Sequence, residues 1–340
     1  MTFNTLQAPF PWFGGKRQVA AEVWRRFGNV SNYVEPFFGS GAVLLGKPES
    51  IDCTETVNDI DGFIANFWRS IKLSPELTAK YADNPVNEND LHARHIWLVH
   101  QIESLTEKLN GDPDYHDPKI AGYWVWGVAC WIGGGFCSNK GPWGLSEDGR
   151  LIKDAKDGHG LHGKLPHLGN KGRGINRQLP HLGNKGRGIK RQLPHLGNKG
   201  QGILGWFSVL SERLRSVRVA SGDWSRICGQ SVTTAHGLTA LFLDPPYADP
   251  DKKAEDVYRS NVVGLAEDVR KFAIENGNNP LLRIALCGYK EEHHMPDNWT
   301  EHAWNAGQGY ATATDDFKDR ERIWFSPHCL KIELRQGSLF

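Results

Sequence analysis

Residues 240–247 have the sequence Ala-Leu-Phe-Leu-Asp-Pro-Pro-Tyr, in which a short apolar run ends at an acid and two prolines. Four apolar residues in a row are typical of a buried strand of a parallel sheet. The prolines then end the strand, because neither has an N–H and each restricts the residue before it to an extended conformation. The stretch therefore predicts a stiff turn at the C-terminal end of a strand, where open α/β sheets bind their ligands.

This turn presents one carboxylate (Asp244), backbone carbonyls and one aromatic ring (Tyr247). Carboxylate and carbonyl oxygens accept hydrogen bonds from an amino group, and an aromatic face suits a flat base. The alternative is a strand-ending turn with a surface tyrosine, which the complete four-residue set disfavours. The turn is thus a candidate site for a flat amine.

A second turn lies at residues 33–45, Tyr-Val-Glu-Pro-Phe-Phe-Gly-Ser-Gly-Ala-Val-Leu-Leu, which predicts a strand, a glycine turn and a helix start. Gly39 and Gly41 allow a tight turn and close approach of a ligand to the backbone. The Gly-Lys-Ser/Thr of a phosphate-binding loop is missing, which favours a nucleoside without phosphates. Taken alone, an ordinary strand-to-helix turn explains the pattern equally well.

Acidic residues end the next predicted strand, residues 55–61. Asp59 lies 24 residues beyond Glu35, and a carboxylate about 20 residues after such a turn typically binds ribose hydroxyls. Asp61, or less plausibly Asp52, could take this role instead, and any of the three could simply cap a helix. We favour Asp59 as the ribose ligand.

Three motifs together resemble those of the Dam-like DNA adenine-N6 methyltransferases, and they occur in the family's order. They are Trp-Phe-Gly-Gly-Lys at 12–16, Glu-Pro-Phe-Phe-Gly-Ser-Gly at 35–41 and Asp-Pro-Pro-Tyr at 244–247. Gly-Asp-Trp at 222–224 and Arg-Ile-Trp-Phe-Ser at 322–326 are similar to the family's strand before the catalytic motif and its closing strand. The resemblance covers residues 9–74 and 206–330.

The resemblance implies an α/β, Rossmann-like class I methyltransferase domain that binds S-adenosyl-L-methionine. It also implies direct methyl transfer to N6 of an adenine flipped out of double-stranded DNA, with site-specific or relaxed specificity and without a metal. The implied catalytic residues are Asp244, Pro245, Pro246 and Tyr247. The implied cofactor-binding residues are Trp12, Lys16, Glu35, Phe37, Gly39, Gly41, Asp59, Asp223 and Asp244.

The predicted catalytic domain comprises residues 1–74 and 206–340, and residues 75–205 form an inserted target-recognition region. Within the insertion, residues 89–109 have the apolar spacing of an amphipathic helix. Residues 120–132 predict a buried helix. For the tryptophans at 124, 126 and 131 we favour a place in the core over stacking on bases.

The insertion also contains a basic repeat of 14 residues, which recurs three times between residues 165 and 203. Residues 158–211 contain nine Lys or Arg and no Asp or Glu, whereas the remaining chain has 31 Lys and Arg against 39 Asp and Glu. A positive charge confined to one block indicates a polyanionic partner. Sequence-reading turns and a nonspecific basic loop remain alternatives. The predicted DNA-binding residues are Lys171, Arg173, Arg177, Lys185, Arg187, Lys190, Arg191 and Lys199.

Other functions compatible with these motifs are an RNA or free-base methyltransferase and a catalytically inactive DNA-binding module. The N-terminal Gly-Gly-Lys motif and the basic insertion favour duplex DNA over the first, and the complete Asp-Pro-Pro-Tyr set disfavours the second. A cytosine-N4 enzyme is less favoured, because those enzymes more often begin the tetrapeptide with Ser.

No run of eighteen apolar residues and no basic-then-apolar leader occurs in the 340 residues, so we expect a cytoplasmic, bacterial or phage-encoded, nucleoid-associated protein. We expect a monomer or weak dimer. Six scattered cysteines indicate reduced thiols. His293 and His294 have no third potential metal ligand nearby, which favours surface histidines over a metal site.

Overall fold

The fold is described from a computed structural model, which describes residues 6–10, 12, 15–86, 88–131, 136–137, 143–145, 151–153, 202–247, 264–290, 292–304 and 321–332. The repeats at 165–203 therefore lie almost wholly outside the described residues, as do all eight predicted DNA-binding cations.

A seven-stranded, mostly parallel sheet forms the centre of the molecule, with the order β5-β2-β1-β6-β7-β9-β8. Neighbouring strands from β5 to β7 are parallel, whereas β9 runs antiparallel to both β7 and β8. The strand order changes direction between β1 and β6, which is where such sheets bind ligands. The predicted Rossmann-like α/β class is confirmed. The strands are β1 (Asn32–Glu35), β2 (Thr54–Asp59), β5 (Arg218–Ser221), β6 (Thr239–Leu243), β7 (Leu282–Tyr289), β8 (Thr300–Ala303) and β9 (Glu321–Phe325).

The central strand β6 is buried at all five positions, because it pairs with β1 on one side and β7 on the other. Leu241, for example, lies opposite Val34 on β1 and Ile284 on β7. This burial on both faces explains why its sequence is continuously apolar instead of alternating. The predicted strand at 240–243 is confirmed, and Asp244 follows it directly.

Helices cover both faces of the sheet, and a 3-10 turn over Lys16–Gln18 precedes the first of them. The sequence predicts a helix over residues 265–276, and the structure has a helix with the same bounds, Leu265–Asn276. The helices are α1 (Ala20–Phe27), α2 (Ala42–Leu45), α3 (Gly62–Leu73), α4 (Pro75–Ala82), α5 (Glu88–Gly111), α6 (Pro118–Cys130), α7 (Gly202–Leu214) and α8 (Leu265–Asn276).

Helices α4, α5 and α6 come from the region predicted as an insertion, yet α6 packs on α3 and α4 packs on α7. Trp124 and Trp126 of α6 are buried, as expected, and Trp124 packs edge-on to Phe10 and against Phe67, which precede the predicted insertion. Residues 75–130 thus share a hydrophobic core with the residues before them. The division at residue 74 stays a prediction.

A small antiparallel pair, β3 (Trp143–Leu145) and β4 (Leu151–Lys153), follows farther along.

Candidate active site

One cavity of about 290 Å³ opens at the C-terminal edge of the parallel strands. The strands β1, β2, β5 and β6 point the same way, so the residues at their ends meet at this edge. Glu35 ends β1, Asp59 ends β2, and Asp223 and Asp244 follow β5 and β6. All four acids line the cavity. Acids that are far apart in the sequence thus share one site.

The glycine turn after β1 forms one wall of the cavity. Gly39 and Gly41 both have positive φ angles, 46° and 61°, which residues with a Cβ rarely adopt. A Cβ on Gly39 would lie 2.5 Å from Nε1 of Trp12, so the glycine lets the indole pack directly on the backbone. The Gly39 carbonyl accepts a 2.9 Å hydrogen bond from Trp68 Nε1. The turn is therefore held in shape on both sides.

Asp59 joins this turn to the end of β2. Its Oδ2 accepts a 2.8 Å hydrogen bond from the Gly39 N–H, and its Oδ1 accepts a 2.9 Å bond from the Asp61 N–H. Burial, assisted by the nearby Asp61 carboxylate, raises the pKa of Asp59 to about 7 in spite of these donors. Asp61 itself caps α3 by accepting from the Phe63 N–H at 2.9 Å. The two candidate ribose ligands are thus both at the cavity, with different local roles.

Aromatic rings form the wall at the end of β5. Trp224 stacks on Phe37 with ring centroids 6.1 Å apart and an angle of 27° between the planes. Asp223 lies beside them, exposed, and its carboxylate accepts a 2.9 Å hydrogen bond from the Ser225 N–H. Two partly buried rings beside an acid provide a flat apolar surface with an adjacent hydrogen-bond acceptor. Such a surface suits a purine with an amino group.

Asp244 forms an ion pair with a buried lysine. Nζ of Lys16 lies 2.9 Å from Oδ1 of Asp244, and the Lys16 side chain is only 4% exposed. Burial alone would lower the pKa of Lys16, but the negative charges of Asp244 and Glu321 outweigh it, and the pKa is raised. Lys16 is therefore a fixed cation under the Asp-Pro-Pro-Tyr turn.

Tyr247 closes this group. Its hydroxyl donates a 3.1 Å hydrogen bond to Oδ1 of Asp244, and its ring centre lies 5.0 Å from Nζ of Lys16. The ring also contacts Tyr289 edge-on, with centroids 4.8 Å apart. The sequence predicts a strand over residues 282–286, and β7 continues to Tyr289 instead, because β9 pairs with it up to that residue.

Glu35 is a second acid whose environment opposes ionisation. The side chain is buried, and burial raises its pKa well above the usual range, although the Tyr33 hydroxyl donates a 2.7 Å hydrogen bond to Oε2. The nearby Asp244 carboxylate acts in the same direction as burial. Glu35 is therefore a carboxyl group that favours its neutral form.

Most of the residues implied by the motifs lie together at this cavity. Gly41 is the exception, because it does not line the cavity, and a Cβ there would meet the Phe38 ring at 2.6 Å. Phe13 and Gly14 of the N-terminal motif lie outside the described residues. The lining residues among those implied are Trp12, Lys16, Glu35, Phe37, Gly39, Asp59, Asp223, Asp244, Pro245, Pro246 and Tyr247.

Motif reasoning missed several residues of the site. Asn58 is buried, donates to the carbonyls of Pro36 and Gly222, and has an Oδ1 without a hydrogen-bond partner in the described part of the chain. Ile102 and Thr106 of α5 also line the cavity. The position of Asn58 directly before the predicted acid was a usable signal, whereas nothing in the sequence placed α5 here.

The expectation that both neighbouring histidines are surface residues was wrong for His293. His294 is exposed, but His293 is buried, lies edge-on to Trp324 at 5.3 Å, and has its pKa lowered to about 4 by burial. His293 is thus a neutral core residue. Among the described residues, no group of three His, Cys, Asp or Glu side chains could hold a metal ion. No described helix has the length and apolar character needed to cross a membrane.

A protein-family model matches part of the chain that forms the cavity. The model for the D12 class N6 adenine-specific DNA methyltransferase matches residues 12–116, which include Trp12, Lys16, Glu35 and Asp59 and end before the Asp-Pro-Pro-Tyr motif. No curated protein matches the chain. The match confirms the resemblance found in the sequence: residues 12–116 are similar to the D12 class N6 adenine-specific DNA methyltransferases.

Proposed function

We propose that the enzyme transfers a methyl group from S-adenosyl-L-methionine to N6 of an adenine flipped out of double-stranded DNA. One observation carries this proposal. The carboxylate and ring of the Asp-Pro-Pro-Tyr turn line the same cavity as the glycine turn and Asp59. The Asp-Pro-Pro-Tyr turn, which can accept hydrogen bonds from an amine, therefore adjoins the glycine turn and Asp59, which suit a nucleoside.

The residues of the cavity fit S-adenosylmethionine, which has an adenosine but no phosphate. Lys16 is the only Lys or Arg among the described lining residues, and it is already paired with Asp244. In our proposal Asp59 accepts from the ribose hydroxyls, Asp223 accepts from the adenine amine, and Phe37 and Trp224 pack on the ring. Trp12, with the Gly39 turn, holds the methionine end.

The unpartnered Oδ1 of Asn58 supports the same fit, because a buried acceptor without a partner is costly unless a ligand or water donates to it. When bound, S-adenosylmethionine would supply a methyl group on a positively charged sulfur, and the carbon–sulfur bond would break as the bond to N6 forms, which leaves a neutral thioether. The carboxylates that line the cavity attract this positive charge. A phosphate-binding site would instead be lined by cations.

The Asp-Pro-Pro-Tyr turn acts on the substrate amine. Asp244 and the Pro245 carbonyl accept the two N6 hydrogens, which orients the nitrogen lone pair and offsets the positive charge that develops on nitrogen as the C–N bond forms. Asp244 then receives the proton that leaves the nitrogen. Tyr247 stacks on the adenine, which must leave the duplex to reach the turn. Stacking of this kind contributes about 1–3 kcal/mol per base.

The repeats between residues 165 and 203 would hold the DNA backbone. Each unit has lysine or arginine beside several glycines, so backbone N–H groups and cations can both reach phosphates. Replacing the eight predicted DNA-binding cations by Gln should weaken DNA binding and lower the slope of log affinity against log salt by about 0.9 for each phosphate that is no longer neutralised. Unchanged salt dependence would remove the repeats from the interface.

The direct test uses S-adenosylmethionine with a labelled methyl group, offered to the full chain with duplex DNA or with RNA of matched sequence. We expect label in DNA only, recovered as N6-methyladenine. Single-molecule sequencing of the product then gives the target context, and modification at nearly every adenine would indicate relaxed specificity. Label in RNA, in cytosine or in neither nucleic acid would overturn the proposal.

A further inference from the structure

Glu321 is an acid beside the proposed catalytic group that none of the motifs contains. It begins β9 and lies opposite Tyr289 of β7 in the sheet. Its side chain is 12% exposed, and Oε2 lies 4.0 Å from Nζ of Lys16. The sheet thus brings a second carboxylate to the lysine that already pairs with Asp244.

Within the described part of the chain, two carboxylates and two aromatic rings lie around the lysine. Asp244 lies 2.9 Å from Nζ and Glu321 4.0 Å, while the rings of Tyr247 and Trp304 are centred 5.0 and 5.5 Å away. The two acids are unequal partners, because only Asp244 is within hydrogen-bond distance. The Glu321 carboxylate thus lies about one ångström farther from the Lys16 ammonium than the Asp244 carboxylate does.

One polar atom near Lys16 supports a second position for the ammonium. Oε2 of Glu321 is buried and lacks a hydrogen-bond partner within the described residues. Burial raises the pKa of Glu321, the Lys16 charge lowers it, and Asp244 raises it further. A small shift of the Lys16 ammonium would give the Glu321 carboxylate the hydrogen bond that it lacks.

We propose that Glu321 is a positioning residue for Asp244: it shares the Lys16 ammonium, so that Asp244 can replace part of its contact with Lys16 by the target amine. This inference rests on the proposed function. Without Glu321, Asp244 would be the one carboxylate within 4.0 Å of the Lys16 ammonium among the described residues, and Lys16 would compete with the amine for it. With Glu321, the ammonium remains paired while Asp244 accepts from the substrate.

The test compares Glu321→Gln with Glu321→Asp in the full chain, with Glu301→Gln as the matched control. Glu301 lies on the adjacent strand β8, is 47% exposed and pairs with Arg322 at 2.8 Å. We expect Glu321→Gln to lower kcat for methyl transfer about tenfold, equivalent to about 1.4 kcal/mol in the barrier. KM and the calorimetric Kd for S-adenosylmethionine should change less than about twofold. Glu321→Asp should recover most of the rate, and Glu301→Gln should match the wild type.

Urea unfolding of each variant separates positioning from folding. If Glu321→Gln is unfolded while Glu321→Asp is not, Glu321 is a structural counter-charge and the inference is wrong. A normal kcat in a folded Glu321→Gln variant, or a change in KM alone, also overturns it. Asp244→Ala identifies a failure of the proposed function itself: if that variant still methylates DNA, the Asp-Pro-Pro-Tyr turn is not the site, whatever Glu321 does.

Discussion

Two acids of the same cavity are stabilised in different ways. Asp244, after β6, lies 2.9 Å from the Lys16 ammonium, whereas Asp59, at the end of β2, accepts hydrogen bonds from the backbone N–H groups of Gly39 and Asp61. Both side chains are partly buried. A full positive charge offsets the loss of hydration at the first acid, whereas peptide dipoles do so incompletely at the second.

The difference suits the two roles proposed above. An acid that accepts from an amine during the reaction needs its charge throughout, and a buried cation compensates that charge. The raised pKa of Asp59, about 7, leaves that carboxyl between its two forms near neutral pH. Its hydrogen bonds to the glycine turn suit an acid that shapes a binding site and gains its full charge where a ligand donates to it.

Removing the cation should have the largest effect, because it makes the Asp244 end of the cavity like the Asp59 end. Lys16→Met leaves Asp244 and Glu321 partly buried without their shared counter-charge. Breaking a buried ion pair in this way typically costs about 3–5 kcal/mol of unfolding free energy. Urea denaturation measures this loss, and Lys271→Met, which removes an exposed lysine paired with Glu267 at 3.7 Å, is the control. A loss no larger than the control's would show that Lys16 does not compensate Asp244.

Removing the acid from the same pair should abolish most of the activity. Asp244→Ala takes away the proposed acceptor for the N6 amine and the hydrogen-bond partner of the Tyr247 hydroxyl. Loss of one preorganised group of this kind lowers kcat by about 10²–10³. The rate of transfer of labelled methyl to DNA is the measurement, with DNA binding measured in parallel and expected to persist. Asp268→Ala, at an exposed position of α8, is the control. Near-normal methylation by Asp244→Ala would contradict the assignment.

The Asp59 end should instead respond to pH. Below its pKa of about 7 the carboxyl is neutral and is a weaker acceptor for ribose hydroxyls, and above it the carboxylate is a stronger one. Affinity for S-adenosylmethionine should therefore rise about tenfold between pH 6 and pH 8, with proton release on binding. Calorimetry in two buffers of different ionisation enthalpy measures both quantities. The dependence should disappear in Asp59→Asn, and its persistence there would assign it to another group.

The same ionisation should act on stability with the opposite sign. The folded pKa of Asp59 exceeds the ordinary value of 3.8. The folded carboxyl thus holds its proton more tightly than the unfolded one, and its contribution to stability is complete below about pH 4. That contribution is lost as pH rises to about 7, so the unfolding free energy of the ligand-free protein should fall across this range. Urea denaturation at several pH values, with Asp59→Asn as the reference, measures the trend.

Local patterns predicted the strands that carry these acids. The apolar run before Asp244 and the strand, glycine turn and helix start at 33–45 follow from short-range rules about proline, glycine and apolar spacing. These elements are determined by neighbouring residues, so a single sequence contains enough information to place them.

Contacts between distant residues were not predictable in the same way. Lys16 and Asp244 are separated by most of the chain, and Glu321 reaches them only because β9 inserts antiparallel between β7 and β8. Strand order is set by packing over the whole sheet, which no short pattern encodes. The same cause extended β7 to Tyr289 and buried His293 against Trp324 of β9.

Removing only the Tyr247 hydroxyl should have the smallest effect and tests whether Lys16 alone suffices to hold Asp244. Tyr247→Phe loses the 3.1 Å hydrogen bond to Asp244 but keeps the ring that faces Lys16 and Tyr289. We expect kcat to fall about threefold, near the lower limit for a net hydrogen bond. Tyr247→Leu also removes the stacking surface, so this variant should lose about a further 1–3 kcal/mol of transition-state stabilisation. If the Phe variant is as slow as the Leu variant, Tyr247 contributes to kcat through its hydroxyl and not through its ring. The position of Asp244 then depends on the Tyr247 hydroxyl as well as on the Lys16 ammonium.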